Sequence, residues 1–335
     1  MTSDGIREAC APTGDILLEV CPMRRVRFHA YGGPEVLRVE DAEAPVPGPG
    51  ELLVRTEAIG VTLPCVRRVR GDGNGGGDPL PAMPGGEIAG VVVGHGADVT
   101  GFAVGDRVTS LTLTGSYAEL VLAPAFLASR IPDGATSVEA VALVRSGHVA
   151  LAALSTGAPR GAESVLITGA ASGTGHLAVQ LAKLQGAARV VAAVSSAAKA
   201  EFLHGLGADE VVTYDQESWG EPVDVVLDGV GGELLPRALA ASAPGGRLIF
   251  FNSGGGTVPA YELLAGDRTI TGLTMRRFAA VHRTRYAQHH AQLWELAGSG
   301  RLRAAVHAEL PLAEAAKAHE IIEARTNLGK VILRP

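Results

Sequence analysis

The run Ser164-Val-Leu-Ile-Thr168, leading straight into Gly169-Ala-Ala-Ser-Gly-Thr-Gly175, decides the reading of this chain. A short β-prone segment is followed only by small residues, and Leu177, Ala178, Leu181 and Ala182 then recur on one helical face. The order is strand, tight turn, helix. Small side chains let the backbone approach a pyrophosphate, whose charge meets the free amides and positive dipole of a helix N-terminus. Measured against GxGxxG, Ala170 and Ser172 replace the first two glycines and Gly175 is kept. The alternative is a merely structural turn. Context favours the nucleotide, because this unit opens a series of strands alternating with helices, the order of a parallel sheet with crossover helices. Ala170, Ser172, Gly173, Thr174 and Gly175 are therefore candidate cofactor contacts.

The tip of the next strand carries the specificity signal. A site selective for NAD places a carboxylate there for the ribose 2′-hydroxyl. Here the chain reads Val194-Ser-Ser-Ala-Ala-Lys199, with no acid before Glu201. Ser195 and Lys199 suit a 2′-phosphate, hence NADPH. The plainer alternative is a helix-capping serine followed by a solvated lysine.

Working outward, strands are expected at Ala188 to Val194, Glu210 to Thr213, Val223 to Leu227 and Arg247 to Phe251, with helices at Gly175 to Gln185, Ala197 to Leu206 and Glu233 to Ala241. Upstream, a strand-rich region holds Glu51 to Ala58, Glu87 to Val93, Gly105 to Leu111 and Ser116 to Leu122, interrupted by a glycine-rich loop from Gly71 to Asp78. Val138 to Leu154 suits a helix. Arg268 to Met275 reads as an edge strand with alternating Ile270, Leu273 and Met275, placed to pair two copies into a homodimer. Helical segments at Arg283 to Ala297 and Leu312 to Ala324 and a last strand at Lys330 to Leu333 have no sheet of their own and are expected to return to the first domain.

Composition excludes several classes. The 335 residues are 47% hydrophobic, enough for about two domains. With 29 basic against 35 acidic residues and a net charge of -6, no basic field for nucleic acid or anionic lipid exists. Cys10, Cys21 and Cys65 supply neither a disulfide framework nor a zinc lobe, which fits a reducing cytoplasm. No uninterrupted apolar run approaches the ~18 to 20 residues of a membrane span. Residues 1–22 lack the charged start and apolar core of an export signal and read as an extension.

Taken together, these segments resemble the zinc-independent quinone oxidoreductases of the medium-chain dehydrogenase/reductase superfamily. The resemblance rests on Tyr31-Gly-Gly-Pro-Glu-Val-Leu37, Pro47-Gly-Pro-Gly-Glu-Leu-Leu-Val54, Val104-Gly-Asp-Arg-Val108, the turn through His176, Gly207-Ala-Asp209, Asp224-Val-Val-Leu-Asp228 and Gly329-Lys-Val331. It implies an α/β protein: a GroES-like β-rich catalytic domain (23–146 and 276–335) around a doubly wound Rossmann domain (147–275), with NADPH in the cleft between them. It also implies Tyr214 beside Ser195 and Lys199 at the 2′-phosphate, and Asn252, Ser253 and Lys330 near the nicotinamide. Zinc-dependent members place cysteine and histidine where Thr62 and Gly86 stand, so no metal is expected. Zinc-free relatives usually read Pro-x-x-Gly-x-Thr where this chain reads Val144-Arg-Ser-Gly-His-Val149. Thr62, Arg67, Arg145 and His148 are the candidate catalytic donors, facing a quinone or an α,β-unsaturated carbonyl substrate. Two rival functions share the scaffold: an NADPH-binding sensor with little catalysis, and a non-redox cyclase or isomerase.

Overall fold

The computed structural model describes residues 22–72, 79–112 and 115–335. The extension is thus outside the described residues apart from Pro22, as are residues 73–78 of the glycine-rich loop. The chain opens with an antiparallel ribbon of β1 (Pro22–Phe28) and β2 (Leu37–Glu43). The first large sheet is founded on β3 (Glu51–Val61), followed by α1 (Leu63–Arg70), β4 (Glu87–His95), β5 (Arg107–Leu111), β6 (Leu120–Pro124) and β7 (Ala128–Arg130). Pro64 sits in the first turn of α1, where its missing N–H costs nothing, and Gly71 ends the helix in the left-handed region at φ 84°.

Helix α2 (Ser137–Gly157) starts in a capping box: Thr136 Oγ1 accepts from the Glu139 amide at 3.1 Å, and Glu139 Oε2 accepts from the Thr136 amide at 2.7 Å. By length and composition α2 could cross a membrane, although no single apolar run in the sequence is that long. It is instead a core helix. It packs against strands of both large sheets, and most of its residues are buried. Residue 146 lies in its middle.

The second sheet alternates β8 (Ser164–Thr168), α3 (Gly175–Leu184), β9 (Arg189–Val194), α4 (Ala200–His204), β10 (Glu210–Thr213), β11 (Val223–Asp228), α5 (Leu235–Ala240), β12 (Ser242–Phe250), α6 (Ala260–Ala265) and β13 (Thr269–Gly272). Its strands are all parallel, in the order β10-β9-β8-β11-β12-β13. The order reverses between β8 and β11, and a doubly wound sheet binds its ligand at that crevice. After α7 (Met275–Val281) and α8 (Arg283–Gly298) the chain leaves this sheet. β14 (Val306–Pro311), α9 (Ala315–Glu323) and β15 (Lys330–Arg334) follow, and β15 pairs antiparallel with β3 through Val331 and Val61. β14 and β15 therefore extend the first sheet.

Several expected elements differ in their limits: the strand expected from Arg247 begins at Ser242, and the one expected to end at Ala58 runs to Val61. The strand placed at Ser116 to Leu122 begins only at Leu120, because the backbone of Tyr117 is spent on Val26 and Pro84. The strand placed at Arg268 to Met275 ends at Gly272, and Thr274 flanks the start of α7. Gly147 lets α8 dock on α2: a Cβ there would overlap the Leu293 side chain.

Candidate active site

The cleft opens at the reversal point, between the carboxyl ends of β8 and β11 on one side and α1, α2 and β15 on the other. Its floor is the turn after β8. Gly169 has φ 63°, Ser172 N donates to Gly169 O at 2.9 Å, and Ser172 Oγ accepts from Gly175 N at 3.1 Å. A Cβ at Gly175 would overlap Gly169 O and Ala170, so the one glycine kept from the fingerprint is the one that this turn cannot lose. Ala170 is buried under the turn; Ser172, Gly173, Thr174 and Gly175 line the cleft. α3 begins at this floor, its Gly175 and His176 amides given to Ser172, and the positive end of its dipole suits a diphosphate.

Asp228, at the end of β11, organises the neighbouring loops. Although fully buried, it accepts from Thr168 Oγ1 at 2.6 Å, from Asn252 Nδ2 at 2.9 Å and from the Val230 and Gly231 amides at 3.2 Å. Asn252 is thereby fixed on the cleft wall beside Ser253.

The cationic end lies past β9. Ser195 is exposed at the strand tip, and Ser196, not Ser195, caps the following turn, accepting from Ala198 N at 3.3 Å. Lys199 Nζ donates to Arg325 O at 2.6 Å, and burial first, then Arg325, pushes its ammonium pKa down. Tyr214 lines the cleft, but its hydroxyl accepts from Gly169 N at 2.8 Å and donates to Ala193 O at 3.2 Å; burial pushes its pKa up to about 12. Arg325 escaped the sequence reading. It sits after α9 with φ 52°, in a loop whose sequence carries no motif. Arg67 Nη1 donates to Ser253 Oγ at 3.1 Å, and its pKa is pushed down by burial and then by Arg325. Its place is therefore with Arg325 and the cofactor loops. Lys199 and Arg325 line the cleft together, whereas Arg67 lies outside its lining; Arg325 disfavours the charge of both others, an environment that favours an anion.

At the opposite end, Thr62 lines the cleft from the N-terminus of α1; its carbonyl accepts from Val66 N at 3.1 Å, while its side chain makes no capping bond. Lys330 is carried in by the C-terminal segment, where Gly329 N donates to Ala171 O at 2.8 Å. Its ammonium is buried and paired with Glu87 Oε1; burial pushes its pKa down, Glu87 opposes the shift, and Arg145 adds to it. Arg145 lines the cleft 3.8 Å from the same carboxylate oxygen.

His148 requires correction. It is 2% exposed, stacks on Tyr286 with centroids 4.1 Å apart, and has no partner at either ring nitrogen, while burial lowers its pKa to about 3. It lies outside the cleft lining, so it is not a donor to bound substrate. A second buried group went unread in the sequence: Tyr117 Oη lies 3.1 Å from His319 Nε2, and Cys65 Sγ 3.7 Å from Tyr117 Oη.

A GroES-like β domain closed over a doubly wound dinucleotide sheet, with the ligand crevice between them, defines a medium-chain dehydrogenase/reductase. Residues 48–133 match the alcohol dehydrogenase GroES-like domain, and 206–333 the zinc-binding dehydrogenase family. The quinone oxidoreductase of Pseudomonas aeruginosa is 34% identical over 331 residues, covering 93% of this chain and 99% of that protein. A 2-haloacrylate reductase of a Burkholderia species is 30% identical, covering 92% and 98%. The solved Escherichia coli quinone oxidoreductase, complexed with NADPH, superposes with a TM-score of 0.87 at 30% identity, covering 93% of this chain and 100% of that one. The chain belongs to the zinc-independent quinone oxidoreductase family. The zinc in the name of one matching domain family does not fit: Thr62 and Gly86 offer no ligand pair, and among the described residues no group of three or more His, Cys, Asp or Glu is placed to hold a metal ion.

Proposed function

We propose that this protein is an NADPH-dependent reductase acting on a quinone or an α,β-unsaturated carbonyl compound. The observation carrying this reading is Lys199, held on Arg325 O beside Ser195 in the cleft lining, at the end of a glycine-built phosphate cradle with no carboxylate at the tip of β9. NADPH, when bound, supplies the hydride.

The protein's own residues bind, orient and exclude water. Ser172 to Gly175 hold the diphosphate, with Ala170 packed beneath them. Ser195, Lys199 and Arg325 meet the 2′-phosphate beside Tyr214. Asn252, Ser253 and Lys330 border the nicotinamide end. Val61, Val149 and Phe251 give that end apolar walls. Thr62 is the donor available to an oxygen that gains charge as hydride arrives, with the Arg145 guanidinium beside it in the cleft wall. The test is NADPH and NADH oxidation across a panel of quinones and enones, with products identified by mass spectrometry. NADPH binding without turnover would favour a sensor, and product formation without NADPH consumption an isomerase or cyclase.

The protein acts as a cytoplasmic homodimer on a small-molecule substrate, with no nucleic acid or membrane partner. β13 supports the dimer: among the described residues it pairs only with β12, which leaves its outer edge without a described partner strand, and Tyr261 and Leu264 on nearby α6 are exposed. Light scattering should give twice the chain mass at micromolar concentration; a monomer would refute the pairing. The free, buried thiol of Cys65 suits a reducing compartment.

A further inference from the structure

Arg145 is a cation in the cleft wall whose hydrogen-bonding capacity no described residue uses. Its side chain is 28% exposed, and its charged neighbour Glu87 Oε1, at 3.8 Å, is beyond hydrogen-bond reach. That oxygen already pairs with Lys330, and both of those side chains are only 3% exposed. The arrangement is built in: Gly60 on β3 leaves the space Glu87 fills, since any Cβ there would overlap the carboxylate. Two cations share one carboxylate, so one positive charge is left over. It reaches the cleft at Arg145.

The other groups around Arg145 do not cancel it. Tyr286, on α8, is a phenol held neutral, its pKa pushed up to about 12 by burial. Cys65, on α1, is a buried thiol whose pKa burial also pushes up. A half-desolvated guanidinium with a surplus charge is stabilised most by an anionic oxygen pair that its planar fork can grip.

We infer that Arg145 anchors a carboxylate carried by the substrate next to the double bond that is reduced. This rests on the reductase reading above. In the step, hydride from NADPH forms a C–H bond at one alkene carbon, the π pair moves to the adjacent carbon and its conjugated carbonyl, and a solvent proton adds there. The alkene is reduced and the nicotinamide oxidised. The surplus charge would bind the anion and favour the charge build-up beside it.

Monomethyl fumarate and dimethyl fumarate form a matched pair, one with a free carboxylate and one neutral. Wild-type protein should show the higher kcat/KM on the monoester. Arg145→Met should lower the monoester-to-diester ratio tenfold or more, and Arg145→Lys should restore part of it. General damage to the fold would scale both substrates together and leave the ratio unmoved. Calorimetry gives a readout without turnover: monomethyl succinate should bind the wild-type protein with NADP+ at least tenfold more tightly than it binds Arg145→Met. An unchanged ratio, or an Arg145→Met variant that loses NADPH affinity as strongly as succinate affinity, overturns the assignment. If no alkene or quinone is reduced, the reductase reading fails, and the succinate titration still decides whether Arg145 holds a carboxylate.

Discussion

Removing the Lys199 ammonium should weaken NADPH selectively. Lys199 Nζ spends one hydrogen bond on Arg325 O, which leaves two of an ammonium's three donors for a phosphate. The group is half-buried and its charge is already disfavoured by burial and by Arg325, so a 2′-phosphate would relieve an existing cost. A charge-assisted bond in such a setting is worth roughly 1.5 to 3 kcal/mol, so Lys199→Ala should weaken NADPH about 10- to 150-fold. Arg325 is exposed, and its pairing with phosphate should contribute only about 0 to 1 kcal/mol, a fewfold change. NADH, without the phosphate, should change less than about twofold in Lys199→Ala, well inside the span of one hydrogen bond. Ser195→Asp should invert the preference by repelling the phosphate and accepting from the 2′-hydroxyl. Isothermal titration with both cofactors measures all of this. Equal wild-type affinities would refute the phosphate site. Equal losses of NADPH and NADH in Lys199→Ala would mean that the lysine serves only to hold the Arg325 loop.

Three further outcomes are expected. Burial lowers the pKa of His148 to about 3 and those of His176 and His319 to about 4, against about 6.5 unfolded. The unfolded chain therefore binds more protons between those values, so stability is full above pH 6.5 and falls as pH drops toward 4, by up to about 1.4 kcal/mol per pH unit for each histidine. Thermal melts between pH 7.5 and 5 should show the decline, and a flat Tm would refute it. Gly175→Ala drives a Cβ into Gly169 O and should cost about 1 to 3 kcal/mol along with dinucleotide binding; unaltered melting and NADPH titration would count against the turn geometry. Elemental analysis should find no stoichiometric zinc, and chelation should spare activity; one zinc per chain, lost together with turnover, would overturn the reading of Thr62 and Gly86.

The sequence was most legible where strands are buried on both faces. Ser164–Thr168 is found at its expected limits, because a parallel strand in a covered sheet reads as an apolar run bounded by turn residues. It was least legible where partners are remote. Tyr117 has the composition of a strand residue, yet its backbone partners, Val26 and Pro84, come from elsewhere in the chain. In Arg268 to Met275 the alternation of Ile270, Leu273 and Met275 imitates a strand across what is a strand end and a helix start. His148 was misplaced because α2 is buried nearly all round, which erases the polar stripe that would orient it. At 3.6 residues per turn, Arg145, Ser146 and Val149 span about 100° of α2 and His148 lies roughly 110° from their centre.

The site belongs to neither domain alone, and the C-terminal segment is what joins them. β15 is a strand of the first sheet, yet the residue before it, Gly329, bridges to Ser172 in the nucleotide turn. Ala305 secures the seam from the side: its carbonyl accepts from Lys330 N at 2.9 Å, and its amide donates to His176 Nε2 at 2.9 Å, while His176 Nδ1 lies 2.8 Å from Ser172 O. His176 must therefore accept at Nε2 and donate at Nδ1, which requires the neutral ring that its lowered pKa maintains. Gly329, with φ 87°, can carry no side chain, because a Cβ would overlap Ala305 O. Through this seam the phosphate turn, the Lys330 and Glu87 pair and Arg145 hold fixed positions relative to one another. A cofactor seated by the turn thus meets a substrate pocket whose charges were set by residues far away in the sequence.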